Sequence, residues 1–386
     1  MTGGRKGTIA AIDLTRFICA LLVVFHHYAT MFAINSDSFL RRIAPDVALA
    51  PDWVGWSWPG WVGVELFFVI SGYVIAMSAA TSGPRDFLRR RVLRLVPVAW
   101  ICATLTAIVL PLTGLFPIER ILTDWTSSIL FWPTRPQIDG SYWTLGIEVN
   151  FYLLVALQLG WRGGGLRAVE RTGIALAVLG AVYWLLRLGG VLAAADRTTD
   201  LSLLPYGGLF AAGIALAALR DRGVSRLRLA TLTLGLASGA AEIWSEAEVF
   251  IRGLGLAAHP ALPLTIFATG VAGIASADRL QPLLARAIGL RRIAFLGMTT
   301  YPLYLLHQCC GGMLIVVLSR AGIESHVAMV ASACAMVILA AAITQFAEPG
   351  LRRALSALLS RRGPLRDIRP SAQSGSLPVM SARPQT

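Results

Sequence analysis

The stretch IAAIDLTRFICALLVVFHHYATMF, residues 9–32, is apolar and long enough to cross a membrane, yet it contains four ionisable side chains. These are Asp13, Arg16, His26 and His27. About 20 apolar residues suffice for a spanning helix, and each ionisable group inside one costs about 2.5 kcal/mol or more. The four residues are therefore candidate functional residues.

Helical spacing separates these four side chains. Arg16 and His27 are eleven residues apart, which is about three turns, so they share a face at roughly 16 Å along the axis. His26 points about 80° away from that line, and Asp13 is within pairing reach of Arg16. Neutral imidazole suits a general base near neutral pH, which favours His27. The simpler alternatives are a packed histidine and an arginine that snorkels to the surface.

The rest of the chain repeats this apolar pattern. Of its 386 residues, 56% are hydrophobic and 14% charged, with a mean hydropathy of +0.66, far from a soluble profile. We predict an all-α, polytopic membrane helix bundle of about ten spans, and a non-crossing segment at 121–132. The spans are 9–33, 60–81, 95–116, 143–161, 172–189, 203–219, 228–245, 258–276, 295–318 and 326–346.

The net charge of +13 follows the predicted topology. With the N-terminus inside, the outer loops hold only eight basic residues: Arg41, Arg42, Arg120, Arg135, Arg187, Arg197, Arg252 and Arg320. Arg16 lies within the first span, and the other 25 lie in inner segments. This positive-inside bias predicts cytoplasmic termini in the inner (plasma) membrane and argues against nucleic-acid binding.

Other ionisable residues fall within or beside the later spans. Glu65 lies in an apolar run, in the outer half like His27, and a carboxylate there can orient an imidazole. Arg91 and Arg94 share a helical face and have the fork geometry that suits phosphates. Alone, Glu65 also fits an interfacial acid, and the arginines fit topology charges. Glu148 and His307 also lie in predicted spans, where packing is as good an interpretation as chemistry.

Tryptophans, cysteines and the C-terminal tail complete the prediction. Trp53, Trp56, Trp58 and Trp61 fit an interfacial belt or a stacking surface for a sugar ring. The five cysteines have no metal or disulfide spacing and read as small buried residues; we expect no metal. We predict a membrane domain over residues 1–350 and a basic, disordered cytoplasmic tail over 351–386.

Six segments, in order, resemble the membrane acyltransferase family called acyltransferase type three, which includes O-acetylases of O-antigen, exopolysaccharide, Nod-factor and macrolide substrates. They are IDLTRFICALLVVFHHY (12–28), GVELFFVISGYVI (63–75), FLRRRVLRLVPVAW (87–100), YWTLGIEVNFYLL (142–154), YPLYLLHQ (301–308) and FAEPGLRR (346–353). In the family's first motif, a basic residue precedes a histidine after ten intervening residues, which selects His27 rather than His26.

The resemblance implies an enzyme that moves an acyl group, with acetyl expected, from cytoplasmic acyl-CoA to a hydroxyl of a carbohydrate, glycolipid or small molecule. His27 would deprotonate the acceptor or carry the acyl group transiently. Arg16 would position donor groups, and Glu65 or Glu148 would orient the histidine. Arg91 and Arg94 would bind the CoA phosphates. Further candidates are Asp13, His307 and Trp143.

Two other functions remain open from the residues alone. Buried Asp, Arg, His and Glu also suit a proton-coupled transporter or lipid flippase, although a transporter does not need the arginine cluster before the third span. A catalytically inactive binder of acyl groups or glycolipids would keep the cavity and tolerate loss of His27.

Overall fold

The computed structural model describes residues 9–35, 37–47, 51–162, 165–193 and 195–361, which are helical with no strand among them. The longer helices are α1 (Ala10–Phe25), α2 (Gly63–Ala79), α3 (Pro84–Val109), α4 (Ile118–Ile129), α5 (Trp143–Arg162), α6 (Leu166–Leu188), α7 (Gly207–Arg222), α8 (Arg226–Leu254), α9 (Ala261–Ala275), α10 (Ala277–Ala287), α11 (Leu290–Leu306), α12 (Gly312–Arg320), α13 (Ser325–Ala342) and α14 (Glu348–Arg361).

Shorter helical pieces connect or extend these helices. Three π-helical turns continue α1, α11 and α13, and the remaining pieces are short α or 3₁₀ turns. The π-helical turns are His26–Met31, His307–Gly311 and Ile343–Ala347. The others are Phe32–Ile34, Phe39–Ile43, Pro51–Trp53, Val54–Ser57, Trp58–Val62, Leu110–Thr113, Gly140–Tyr142 and Arg197–Leu201.

Glycines let the two central helices α2 and α7 cross in backbone contact. A Cβ added at Gly72 would lie 2.1 Å from the carbonyl oxygen of Phe210, and one at Gly213 would lie 1.9 Å from that of Val69. Both distances are far below van der Waals contact, so only glycine fits at either position. Small residues at helix crossings are typical of membrane bundles. Both α1 and α5 pack against α2.

Seven helical stretches of the described chain are long and apolar enough to cross a membrane. They are Ala10–Ile34, Val54–Ala79, Pro84–Thr113, Gly140–Trp161, Leu166–Leu188, Leu290–Arg320 and Ser325–Ser360. An eighth arises if α9 and α10, bent by 85° at their junction, count as one span. The fold is thus a multi-pass helical bundle, as predicted.

The predicted count of ten spans is not reached by this criterion. The predicted span 203–219 corresponds to α7, which has 16 residues and is about 24 Å long at helical rise. The predicted span 228–245 corresponds to α8, whose 29 residues include three glutamates. Both helices pack against α6, and whether they cross the bilayer stays a prediction.

Three smaller predictions meet the structure at the edges of the bundle. The segment predicted not to cross, 121–132, falls largely in the 12-residue helix α4, which is too short to span about 30 Å of hydrocarbon. The predicted disordered tail begins too early, because α14 continues to Arg361; residues 362–386 lie outside the described residues. Four cysteines are buried, but Cys334 is exposed.

Candidate functional site

Two histidines from opposite ends of the chain meet in the bundle. His307 Nε2 lies 3.2 Å from His27 Nδ1, and the ring centroids are 4.9 Å apart. His27 Nδ1 also lies 2.9 Å from the carbonyl oxygen of Val23, and His307 Nδ1 lies 2.8 Å from that of Tyr304. His307 is fully buried, whereas His27 is half-buried and lines a cavity.

These contacts define one consistent protonation pattern. A carbonyl oxygen only accepts, so Nδ1 of each neutral ring carries the proton and donates to its backbone partner. His307 Nε2 is then an acceptor, and the His27 Nδ1–H is shared between it and Val23. His27 Nε2 has no hydrogen-bond partner among the described residues, so its lone pair is available, and the side chain lines a cavity. This is the arrangement that a general base requires.

The π-helical turns position both rings. Extra backbone in a π-turn shifts the register of a helix, and such turns are frequent at functional sites. His27 lies in the turn after α1 and His307 begins the turn after α11. Tyr28 Oη donates to the His307 carbonyl oxygen at 2.9 Å, and Gly311 leaves room for that hydroxyl. The two turns are thus fastened to each other beside the imidazole pair.

Asp139 anchors the second turn from the side. One carboxylate oxygen accepts from the backbone and hydroxyl of Ser141 at 2.8 and 2.7 Å, and the other accepts from the Cys309 N–H at 2.9 Å. Burial raises the pKa of Asp139, and these hydrogen bonds counteract the rise. Asp139 was not among the predicted site residues. It lies in a loop before α5, and its partner Cys309 is 170 residues away along the chain.

His27 opens onto a cavity of about 540 Å³, the histidine cavity. Its wall includes two predicted site residues, Glu65 and Trp143, together with His26 and Trp61. Glu242 of α8 also lines it and is 2% exposed. Glu242 was not among the predicted site residues. Its position as an acid within the predicted span 228–245 could have indicated it.

A second cavity of about 100 Å³, the arginine cavity, contains the predicted donor-binding residues. Arg16, Arg91, Arg94 and Glu148 all line it. Arg91 Nη2 donates to Ser78 Oγ at 2.7 Å, and its guanidinium lies over the rings of Phe87 and Tyr152. Arginines from two helices, α1 and α3, therefore converge on one small space.

Other polar contacts hold the wall of the arginine cavity. Glu148 accepts hydrogen bonds from Tyr152 Oη and, at 3.3 Å, from Ser71 Oγ. Arg16 pairs with Asp13 at 3.6 Å, as the three-residue spacing predicted. The Asp13 side chain sits against Gly297 of α11, which fixes the pair at the crossing of the two helices.

The two cavities are neighbours. Val64 and Tyr304 line both of them. Arg16 and His27 lie on one helix but face different cavities, about three turns apart by their spacing. That the pair marks the path of the acyl group stays a prediction; Val64 and Tyr304 lie at the boundary between the two cavities.

The predicted carboxylate partner of His27 was wrong. Among the described residues, neither Glu65 nor Glu148 hydrogen-bonds to either ring nitrogen of His27; His307 and Val23 do. Glu148 instead faces the arginine cavity, and Glu65 shares only the wall of the histidine cavity. The catalytic roles assigned to all these residues stay predictions.

Comparison with known proteins assigns the family. The acyltransferase type three model, described as an acyltransferase domain, matches residues 9–345. The chain belongs to this family, which confirms the resemblance and supports the prediction of an acyl-transferring membrane enzyme.

Two curated proteins are similar to parts of the chain. The exopolysaccharide production protein ExoZ of Rhizobium meliloti (strain 1021) is 33% identical over 141 residues, covering 32% of this chain and 42% of that protein. The O-acetyl transferase of Shigella phage Sf6 is 27% identical over 189 residues, covering 44% of this chain and 52% of that protein. The chain thus aligns with about half of these relatives' length. No solved structure matches significantly.

Proposed function

We propose that this protein is an integral membrane O-acyltransferase that moves an acyl group, acetyl above all, from acyl-CoA to a hydroxyl of a carbohydrate or glycolipid. The observation that carries the proposal is that His27 Nδ1 contacts Val23 and His307, while the His27 side chain lines a cavity next to an arginine-lined one. The names of the two relatives, an exopolysaccharide production protein and an O-acetyl transferase, favour an acetyl donor and a glycan acceptor.

The arginine cavity is the proposed donor side. Two of its buried polar atoms, Arg91 Nε and Tyr301 Oη, have no hydrogen-bond partner among the described residues. Both groups can therefore donate a hydrogen bond to a ligand. At about 100 Å³ it suits the narrow pantetheine arm rather than the nucleotide. Arg91 and Arg94 would bind the phosphates by charge-assisted hydrogen bonds.

The reaction joins the two cavities. The acceptor hydroxyl gives its proton to His27 Nε2 while its oxygen attacks the thioester carbonyl carbon. The C–S bond then breaks, the acyl group stays on the acceptor oxygen, and the departing CoA sulfur takes the proton from the imidazolium. The His27 Nδ1–H donates to His307 and Val23 throughout, which stabilises the transient positive charge. Arg16 is in place to stabilise negative charge on the donor side.

The topology assigned to this reaction is the one indicated by the arginine distribution. Ten spans with both termini in the cytoplasm of a bacterial inner membrane place the arginine-rich start of α3 on the cytoplasmic side, where acyl-CoA is available. His27 then lies further outward than Arg16. Cysteine accessibility scanning at both termini, with a membrane-impermeant reagent on intact cells, tests this orientation.

Replacement of the proposed base tests the activity itself. The His27→Ala protein should lose at least about 100-fold in acetyl transfer, because a positioned base contributes roughly that much or more. Radiolabelled acetyl-CoA, purified protein and glycan extracts, with mass spectrometry of the product, provide the measurement. His26→Ala is the matched control and should lose much less.

Equal losses in the two variants would show that the wrong histidine was chosen. Undiminished transfer by His27→Ala would remove the general-base mechanism. Absence of transfer by the unmodified protein, together with substrate movement across proteoliposomes, would favour the transporter alternative.

A further inference from the structure

Buried polar atoms without partners cluster around the histidine cavity. Nine buried side-chain nitrogen or oxygen atoms of the described residues lack a hydrogen bond. Four of these line this one cavity: His26 Nδ1, Trp61 Nε1, Glu65 Oε2 and Glu242 Oε2. Each unsatisfied buried group destabilises a fold by about 1–3 kcal/mol, so such a concentration is typical of a site that binds a polar ligand.

Two of the four are carboxyl groups that form no ion pair with any residue that the structure describes. Glu65 is 4% exposed and Glu242 is 2% exposed, and they project from α2 and α8 closely enough to interact electrostatically. Glu246 and Asp200 also line the cavity, whereas Arg187 is the single guanidinium there. The cavity wall therefore has more carboxyl groups than cationic partners for them.

Aromatic rings supply the rest of the wall. Trp61 stacks on Phe250 with centroids 5.6 Å apart and planes at 20°, and Trp143 meets Tyr206 at 6.0 Å. All four residues line the cavity. Flat apolar rings combined with a few convergent polar groups form the usual binding site for a small organic ligand, and about 540 Å³ lies within the ordinary size range.

A metal ion fits this site poorly. No group of three or more His, Cys, Asp or Glu side chains in the described part of the chain has the geometry to bind one. The Trp61 N–H, moreover, is a donor only and repels a cation. A hydroxyl group both donates to a carboxylate and accepts from an indole N–H, so a polyhydroxyl compound satisfies both kinds of orphaned group.

We propose that the Glu65–Glu242 pair is the acceptor-sugar subsite of this enzyme. The two carboxyl groups hydrogen-bond to sugar hydroxyls, Trp61 Nε1 donates to a ring or hydroxyl oxygen, and the tryptophan faces pack on the C–H face of the ring. This inference rests on the proposed function and assigns Glu65 to binding rather than to orienting His27.

Binding measurements separate this subsite from the acyl-transfer activity. Purified full-length protein is titrated with a panel of methyl hexopyranosides while its tryptophan fluorescence is recorded. The unmodified protein should bind at least one neutral member saturably. Glu242→Gln should bind it about ten-fold more weakly or worse, because the amide replaces one carboxyl oxygen with a group that only donates.

Glu248→Gln is the matched control. Glu248 lies on the same helix, has a side chain that is 41% exposed and pairs with Arg252 at 3.0 Å, and it does not line the cavity. Its replacement should leave the affinity within about two-fold, since distant sites act independently. Thermal unfolding of both variants confirms that each is folded, and Glu65→Gln provides the second test if Glu242→Gln is not.

The outcomes of these binding measurements separate the two proposals. No saturable binding of any neutral hexoside, or equal affinity in Glu242→Gln, overturns the subsite. Saturable binding without acetyl transfer would overturn the proposed function instead.

Discussion

The ring nitrogens of His27 have different partners, and that difference determines what the residue can do. Nδ1 contacts Val23 and His307, so Nε2 keeps the lone pair that can accept a proton, on a side chain that lines the histidine cavity. His307 contributes no group to that cavity but fixes the tautomer of the residue that does. It is a positioning residue, comparable to the acceptor that orients an imidazole in other bases.

Replacement of His307 tests this role. His307→Ala should lower kcat for acetyl transfer by roughly 10-fold to 100-fold, less than the general base itself contributes, with little change in the KM of either substrate. His307→Gln should restore part of kcat, since an amide oxygen can accept the same Nδ1–H hydrogen bond.

The control for this experiment is His326→Ala, which removes an imidazole that pairs with the exposed Asp52. It should leave kcat unchanged. A rise in KM with unchanged kcat in His307→Ala would show that His307 acts on binding. No rescue by glutamine would show that it acts through packing alone.

At the level of elements, the two π-helical turns are the parts that bring the histidines together. Each follows a long α-helix, α1 or α11, and Tyr28 connects one to the other. If α1 continued as a regular α-helix through His27, the side chains beyond it would keep the same rotation about the axis as Arg16. The π-helical turn changes that rotation. The helix α3 has a different task, because its first turns carry Arg91 and Arg94 into the second cavity.

The double variant Arg91→Ala with Arg94→Ala tests the task of α3. Its apparent KM for acetyl-CoA should rise by about ten-fold or more, because two charge-assisted contacts to phosphate are lost. Steady-state kinetics with varied acetyl-CoA measures this. The acceptor KM should stay the same.

A neighbouring pair provides the matched control. Arg89 and Arg90 lie on the same helix and are exposed, and they do not line the arginine cavity. Arg89→Ala with Arg90→Ala removes the same charge, so an equal rise in KM would reveal a general effect of charge on CoA attraction and would contradict a specific phosphate clamp.

The molecule contains two adjacent cavities with different linings. One is lined by arginines from α1 and α3, the other by carboxyl groups from α2 and α8 and by aromatic rings from several helices. Their common boundary is Val64 and Tyr304. Under the proposed function, the donor and the acceptor would be held on either side of this boundary.

Obstruction of that boundary tests the arrangement. Val64 is 8% exposed, so Val64→Trp should place an indole between the cavities and reduce kcat by about ten-fold or more, through loss of alignment of the reacting groups. Equilibrium binding of acetyl-CoA should persist. Val64→Ala, which widens the boundary, should keep most of the transfer.

Full transfer by a folded Val64→Trp protein would show that the reactants meet elsewhere. Loss of both acetyl-CoA binding and thermal stability would instead show that the substitution disrupts α2, and Tyr304→Trp then addresses the same boundary from α11.

The sequence by itself determined the membrane-helical class, the family, the Asp13–Arg16 pair and the choice of Arg16, Arg91, Arg94 and His27 as site residues. These rest on local quantities: hydropathy over one helix length, side chains a few residues apart, and short motifs. The arginine bias likewise requires only the order of the spans.

Only the tertiary structure decided which groups meet. His307 lies 280 residues from His27, Asp139 lies 170 residues from Cys309, and Glu242 reaches the cavity of Glu65 from another helix. Hydropathy shows that a residue is in a span, but the rotation of that helix follows from packing at glycines such as Gly213 and from π-helical turns, which depend on contacts with distant segments. For that reason the sequence predicted a carboxylate beside His27, and the fold placed a second histidine there.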